Sequence, residues 1–324
     1  MPSNFEKPNR GERLRGNWNL KAIAFRVALA GFVTLLACVS PSSIRGNLTT
    51  PQYAAGSARL AAFNLLNQQR QQCGFPAFQD NAYLDQAANA HARYEQSADE
   101  PSDTEVFGRP GFTGQTYADR AVHFGFPSGL DVGGVGAGFT DRSTTEALYG
   151  QALVYAWLSG VYHLPPLMEP ATDVGVGEVD STSGGTATVW GSMSFANLQS
   201  MTTNSPLTFP CQGTTGVAFE GVTENPKPPD TSGLWGTPIG VMGNPTDTIV
   251  LRSGTVTDML GHIITLRLLY SANDPNKELQ SYAAVAYPPM PLSPNTQYMV
   301  SITGVVNGVA FSRSFSFTTG DIVQ

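Results

Sequence analysis

The sequence predicts two folds in succession: an α+β sandwich, then an all-β sandwich of immunoglobulin-like type. Three observations carry this. Apolar residues recur at helical spacing in three stretches between Ser57 and Val161, and two strand patterns follow before residue 200. Residues 213–238 hold Pro226, Pro228, Pro229 and Pro238 among several glycines, the composition of a domain boundary. Beyond them, apolar and polar residues alternate with period two, and no helical pattern intrudes. A chain of 324 residues is long enough for about two domains.

The first helix is expected over Ser57–Gln72. Ser57 is its N-cap, Leu60, Phe63 and Leu66 form its apolar stripe, and Gly74 stops it. The second spans about 80–97, with Leu84, Ala87, Ala88 and His91 on one face. The third starts at Ser143, which has capping-box spacing to Glu146, and continues through Leu153, Val154, Trp157, Leu158 and Val161. Residues 174–179 and 186–195 read as strands joined by a Ser/Gly turn. Ala187, Val189, Met193 and Phe195 share one face of the second. In the C-terminal part Ile264, Leu266 and Leu268 alternate, as do Tyr298, Val300 and Ile302, and Val309, Phe311, Phe315 and Phe317. Asn307-Gly308 between the last two runs is a hairpin turn signal. Several short strands within about 90 residues suggest an immunoglobulin-like sandwich.

Composition narrows the function. Charged residues are 13% of the chain, below the roughly 25% of ordinary soluble domains, and the net charge is −7. Lys7, Arg10, Arg13, Arg15, Lys21 and Arg26 all precede the first apolar run, so the remainder is more acidic still. A basic groove for nucleic acid is therefore not expected, and no nucleic-acid partner is.

Residues 27–37 (VALAGFVTLLA) form a short apolar run behind that basic stretch. Eleven residues are too few to span a bilayer core of roughly 30 Å, which needs about 20. They have the length of the apolar region of a secretory signal. The run ends in Leu35-Leu36-Ala37-Cys38, which resembles a bacterial lipobox. On this reading Cys38 is lipidated and the protein is an exported lipoprotein, held at the cell surface or outer membrane through an N-terminal lipid anchor. Secretion without lipid and an uncleaved signal anchor remain the alternatives. The expected organisation is a signal peptide with lipobox over 1–38, a linker over 39–54, the α+β domain over 55–212, a Pro/Gly-rich linker over 213–235 and the β-sandwich over 236–324. With Cys38 lipidated, Cys73 and Cys211 are the two remaining cysteines, a natural disulfide in an oxidising compartment. The bond would close a loop of about 140 residues, which the chain-entropy model values on the order of 4–5 kcal/mol.

Four stretches resemble the CAP family (cysteine-rich secretory, antigen and pathogenesis-related proteins) in its bacterial branch. NLLNQQRQQCGFPAF (64–78) resembles the opening helix and its turn, with Asn67, Arg70 and Gly74; YLDQAANAHARY (83–94) resembles the second helix. GFTGQTYADRAVHFGF (111–126) resembles a loop of the bacterial branch. WLSGVYHLPPLMEPATDVGVG (157–177) resembles the Trp…His…Pro…Gly-x-Gly run that leads into the central strands. The resemblance covers about 57–200 and implies a CAP-type α-β-α sandwich with a surface cleft. PLSPNTQYMVSITG (291–304) and FSFTTG (315–320) resemble immunoglobulin-like modules appended to such proteins.

The family cleft often carries two histidines and two acidic residues, a set able to hold zinc. Here His163 matches the second histidine, whereas Asp103 stands near the place of the first. The expected Glu-Asn-Ile segment reads DVGGVGAG (131–138), and the acidic position three past the tryptophan falls on Gly160. No cofactor is expected at this cleft, zinc included; His163 is the one candidate ligand. Gly133–Gly138 reads as a flexible loop, His91 as a core histidine, and His123 and His262 as surface residues. Asp85, Glu95, Asp99 and Glu100 read as solvated helix charges.

These features favour a non-enzymatic, extracellular binding or adhesion module whose ligand is a lipid, a cell-wall component or a protein. The alternatives are a cell-envelope hydrolase with His163 and Asp103 as acid and base, and a structural envelope stalk.

Overall fold

The computed structural model describes residues 44–142, 144–201 and 206–322. The expected signal peptide and Cys38 lie outside the described residues. Ser43–Gln324 forms one compact unit.

The first helix, α1 (Ala58–Gln72), starts where the sequence places it: the Ser57 hydroxyl accepts the Leu60 amide, and Gly74 follows its end at φ +83°. Strand β1 (Gln79–Asp80) precedes α2 (Ala82–Ala98), which is capped by Asn81. The short α3 (Tyr117–His123), which periodicity alone did not reveal, starts on a capping box of Thr116 and Asp119. Strand β2 (Val132–Arg142) leads to α4 (Glu146–Ser159), α5 (Leu164–Met168) and the hairpin of β3 (Ala171–Ser183) and β4 (Thr186–Leu198). Gly184 and Gly185 turn that hairpin at φ +59° and +82°, angles that a side chain would resist. The four strands pair in the order β1-β3-β4-β2. Buried Leu84 of α2 and Leu66 of α1 show that helices cover both faces, an α-β-α arrangement.

The C-terminal part forms two further sheets. One has five strands, β10 (Ile249–Asp258), β11 (Ile263–Thr265), β14 (Gln297–Val306), β15 (Val309–Thr319) and β6 (Thr214–Val217). The other has four, β5 (Leu207–Phe209), β9 (Ile239–Met242), β12 (Arg267–Tyr270) and β13 (Ala283–Tyr287). Val256, Val300, Ile302 and Phe317 of the first sheet and Val241, Ala284 and Ala286 of the second are buried in one shared core. Asn307 and Gly308 turn β14 into β15 at φ +52° and +82°, as their residue types demand.

Several expectations are corrected. Helix α4 begins at Glu146 with Thr145 as N-cap, and that cap makes no side-chain hydrogen bond; Ser143 lies outside the described residues. Gly133–Gly138 is part of strand β2, paired with β4 along its whole length, rather than a flexible loop. Its glycines are required by what lies against them: a Cβ on Gly134 would strike the Tyr117 ring, and one on Gly136 would meet Glu95 Oε1 at 2.5 Å. Residues 44–54 of the expected linker dock on the helical part. The Leu48 amide donates to Asp80 O (2.9 Å), Asn47 donates to Asp173 Oδ1 (2.8 Å), and Tyr53 is buried.

The 213–235 segment contains β6 and β7 (Glu220–Gly221), the latter paired with β8 (Trp235–Gly236). Strand β5 already belongs to a C-terminal sheet, and one apolar cluster runs from Leu66, Trp157 and Met193 to Val241 and Val300. Cys73 at the end of α1 is bonded to Cys211 between β5 and β6, so the disulfide ties helix to sandwich. Asp85 and Glu95 are not solvated: Asp85 accepts the Val176 amide and pairs with Arg59, and Glu95 is completely buried. No helix among the described residues is long and apolar enough to cross a membrane.

Candidate functional site

Helix α4 ends because Gly160 is extended (φ −79°, ψ 140°), and the chain turns through Val161 and Tyr162 into α5, with His163 as its N-cap. That turn leaves three successive amides without a partner in the helix. Glu224, from the segment between β7 and β8, supplies the acceptor. Its Oε2 accepts Val161 N–H (2.8 Å), and its Oε1 accepts the N–H of Tyr162 and of His163 (2.8 Å each). The same Oε1 accepts the His163 Nδ1 proton at 2.7 Å, with the Glu224 side chain fully buried and that of His163 23% exposed. Burial alone would push the imidazole pKa down; the hydrogen bond and charge of Glu224, aided by the charge of Asp103, outweigh it and hold the pKa above the usual histidine value. Nδ1 is thereby fixed as a donor, and Nε2 has no hydrogen-bond partner among the described residues.

Gly160 makes this possible. A Cβ there would stand 2.5 Å from Glu224 Oε1 and 2.9 Å from His163 Nδ1. The position that the family resemblance marks as acidic is thus empty of side chain, and the carboxylate of Glu224, from far along the chain, occupies the space.

His163 and Asp103 line one cleft of about 770 Å³, together with Glu224, Trp157 and residues 136–139 of β2. No hydrogen bond joins His163 to Asp103; Asp103 is exposed, and its Oδ1 accepts the Tyr117 hydroxyl at 2.8 Å. The loop that carries Asp103 is held from beneath. Buried Arg120 donates to the carbonyls of Asp103, Gly114 and Gln115 and stacks on Tyr117. Buried Glu105 accepts the Thr113 and Gly114 amides. His91 is buried as expected of a core histidine, bonded to Glu105 (3.0 Å) and the Ser102 carbonyl (2.8 Å), and burial pulls its pKa below the ordinary value. His123 is exposed, and exposed His262 pairs with Asp258 at 2.8 Å.

Sequence reasoning missed Glu224. The one available signal was Gly160, an acidic position left bare. It also missed the cleft wall made by residues 222–227, because Pro226 and the adjacent Gly221 belong to a packed segment. Trp235 Nε1 donates to Ser159 O at 2.7 Å, and a Cβ on Gly221 would strike that same indole nitrogen. Among the described residues, no three His, Cys, Asp or Glu side chains group as metal ligands.

The model of the CAP family, described as the cysteine-rich secretory protein family, matches residues 63–193. No curated protein sequence matches the chain. Among solved structures the chain is similar to an outer surface protein from Borrelia burgdorferi, with 12% identity over 44% of this chain and 93% of that one and a TM-score of 0.32.

Proposed function

With residues 63–193 a domain of the CAP family, we propose that this protein is an exported module that binds its ligand in the His163 cleft without a metal ion. The observation behind this reading is the saturation of Glu224. Its Oε1 accepts two amides and the His163 Nδ1 proton and its Oε2 accepts a third amide, so the carboxylate is committed to the turn and to the imidazole. Asp103 and Glu278 also face the cleft beside His163, yet among the described residues no three such side chains group as the three or four protein ligands that zinc takes. The residues present do not fit the family's zinc set, and no step is routed through a metal.

The protein reaches the outside by the signal at 27–37, with lipid on Cys38 as the anchor. The two-sheet C-terminal part is an immunoglobulin-like module. It serves as more than a spacer, because the segment leading into it supplies one wall of the cleft.

A cleft of this size suits a small or extended ligand. Binding at a hundredfold excess over Kd would stabilise the fold by about 2.7 kcal/mol. The test is a thermal-unfolding panel of palmitate, a muropeptide and short peptides on the wild type and on Thr223→Trp, which fills the cleft from its wall. At least one compound should raise the Tm of the wild type alone. No shift, or shifts that survive Thr223→Trp, would overturn the reading.

A hydrolase is the second reading, favoured by the orientation of His163: a carboxylate on Nδ1 leaves Nε2 for proton transfer. Against it, the hydrogen bond and charge of Glu224 favour the protonated imidazole, the form that cannot act as a base. Turnover of a casein or peptidoglycan substrate that disappears in His163→Ala would establish it.

A further inference from the structure

Strand β2 is the outermost of its sheet, and among the described residues no strand pairs with its second edge. Natural proteins shield such edges, because the unpaired amides and carbonyls are a template for another strand. At its far end β2 does so with exposed Asp141 and Arg142. Gly136–Phe139 has no such guard, and all four of these consecutive residues line the cleft. Successive strand residues face opposite sides of a sheet, so a cavity that touches four in a row runs along the edge. The glycines keep that edge bare for a structural reason: a Cβ on Gly136 would strike Glu95, and one on Gly138 would strike the Trp190 ring. Four residues give about 13 Å of edge.

Charge narrows the occupant. Asp103 and Glu278 are exposed carboxylates on the cleft, Glu224 is already matched by His163, and Lys227 is the single lysine or arginine in the lining. Burial and then the charge of Asp103 raise the Glu278 pKa, so the two carboxylates feel each other across the opening.

We propose that the ligand is an extended polypeptide segment that adds to the free edge of β2 at Gly136–Phe139 and sets a basic side chain between Asp103 and Glu278. Main-chain pairing supplies the affinity and the carboxylates supply the selectivity. The proposal rests on the reading of the cleft as a ligand site and names the class of that ligand.

The experiment selects binders to the full-length protein from a displayed library of random twelve-residue peptides, then scans the best synthetic peptide by N-methylation. N-methylation should weaken binding at least tenfold at every second position, the period of a β ladder. The bound peptide should slow amide exchange at Gly136–Phe139. Selected sequences should be rich in Lys and Arg, and Asp103→Asn with Glu278→Gln should weaken them about tenfold. Failure to select any binder, an N-methyl scan without period two, or unchanged exchange at Gly136–Phe139 would overturn the proposal. If palmitate or the muropeptide still raises the Tm of the wild type and not of Thr223→Trp, the cleft survives as a site and only its peptide class falls. If nothing binds, both fall.

Discussion

Glu224 Oε1 occupies the space that a side chain on Gly160 would need, and from there it holds His163 Nδ1 at 2.7 Å. One glycine and one distant glutamate thus set the protonation and aim of the histidine in the cleft.

Gly160 has no room for a side chain beside Glu224. Its backbone is extended and open to any residue, so Gly160→Ala acts only by crowding Glu224 and His163. Overpacking of this kind costs about 1–3 kcal/mol. Removing Glu224 alone leaves three amides and the His163 Nδ1 without their acceptor, at about 1–3 kcal/mol for a buried group left unsatisfied. In urea unfolding, Gly160→Ala with Glu224→Ala should cost less than the sum of the two single variants, since the first clash disappears with the carboxylate. Additive costs would mean that Gly160 is not making room for Glu224.

The Cys73–Cys211 bond joins α1 to the strands of the sandwich across a sequence separation of 138. Removing a native disulfide from an exported domain costs about 2–5 kcal/mol. Cys73→Ser with Cys211→Ser should lower the urea midpoint accordingly. An unchanged midpoint would mean that the packed core alone carries the junction.

Arg70 is fully buried and donates to the carbonyls of Pro76, Leu167, Glu169 and Ala171, with its guanidinium 3.7 Å over the Phe78 ring. Arg70→Ala should destabilise by about 3–5 kcal/mol, because four carbonyls lose their donor and a cavity opens. Thermal unfolding measures this, and a loss under about 1 kcal/mol would contradict the assigned role.

Burial raises Glu169 and Glu178 to about 7. A carboxylate whose folded pKa lies above its unfolded pKa binds its proton more tightly in the folded state. The folded state is therefore penalised as pH rises from the unfolded value near 4 through about 7. His163, with its pKa raised by Glu224, acts in the same direction: its stabilisation is complete below the unfolded histidine pKa and is lost as pH passes the raised folded value. The contribution of these three groups to stability, measured by urea unfolding, should fall between pH 4 and 8, while His91, its pKa lowered by burial, acts the other way. Glu169→Gln, which keeps an acceptor for the Tyr282 hydroxyl, should flatten that fall. An identical pH profile in the wild type and Glu169→Gln would contradict the assignment.

Much of the fold was legible because it depends on local signals. Ser57, the face of Leu84, Ala87 and Ala88, and Asn307-Gly308 each specify their element through nearest neighbours. What was hidden depends on contacts between distant segments. The glycines of β2 read as a loop because nothing in DVGGVGAG announces that Tyr117, Glu95 and Trp190 must lie against it. Glu95 sits on a helix among polar residues, and only tertiary packing takes it from water. Pro226 and its neighbours suggested a tether, yet in place they wall the cleft. His163 could be picked from its motif, whereas its partner Glu224 could not, since no spacing rule links residues 61 apart.

The most direct test of the hold of Glu224 on His163 is the pKa of His163, followed by nitrogen-15 NMR in the wild type and in Glu224→Gln. The expected result is a wild-type value above the ordinary 6.5 or so and a clear drop in Glu224→Gln, with Nδ1 protonated throughout in the wild type. An equal value in both proteins, or a wild-type imidazole whose Nδ1 loses its proton first, would contradict it.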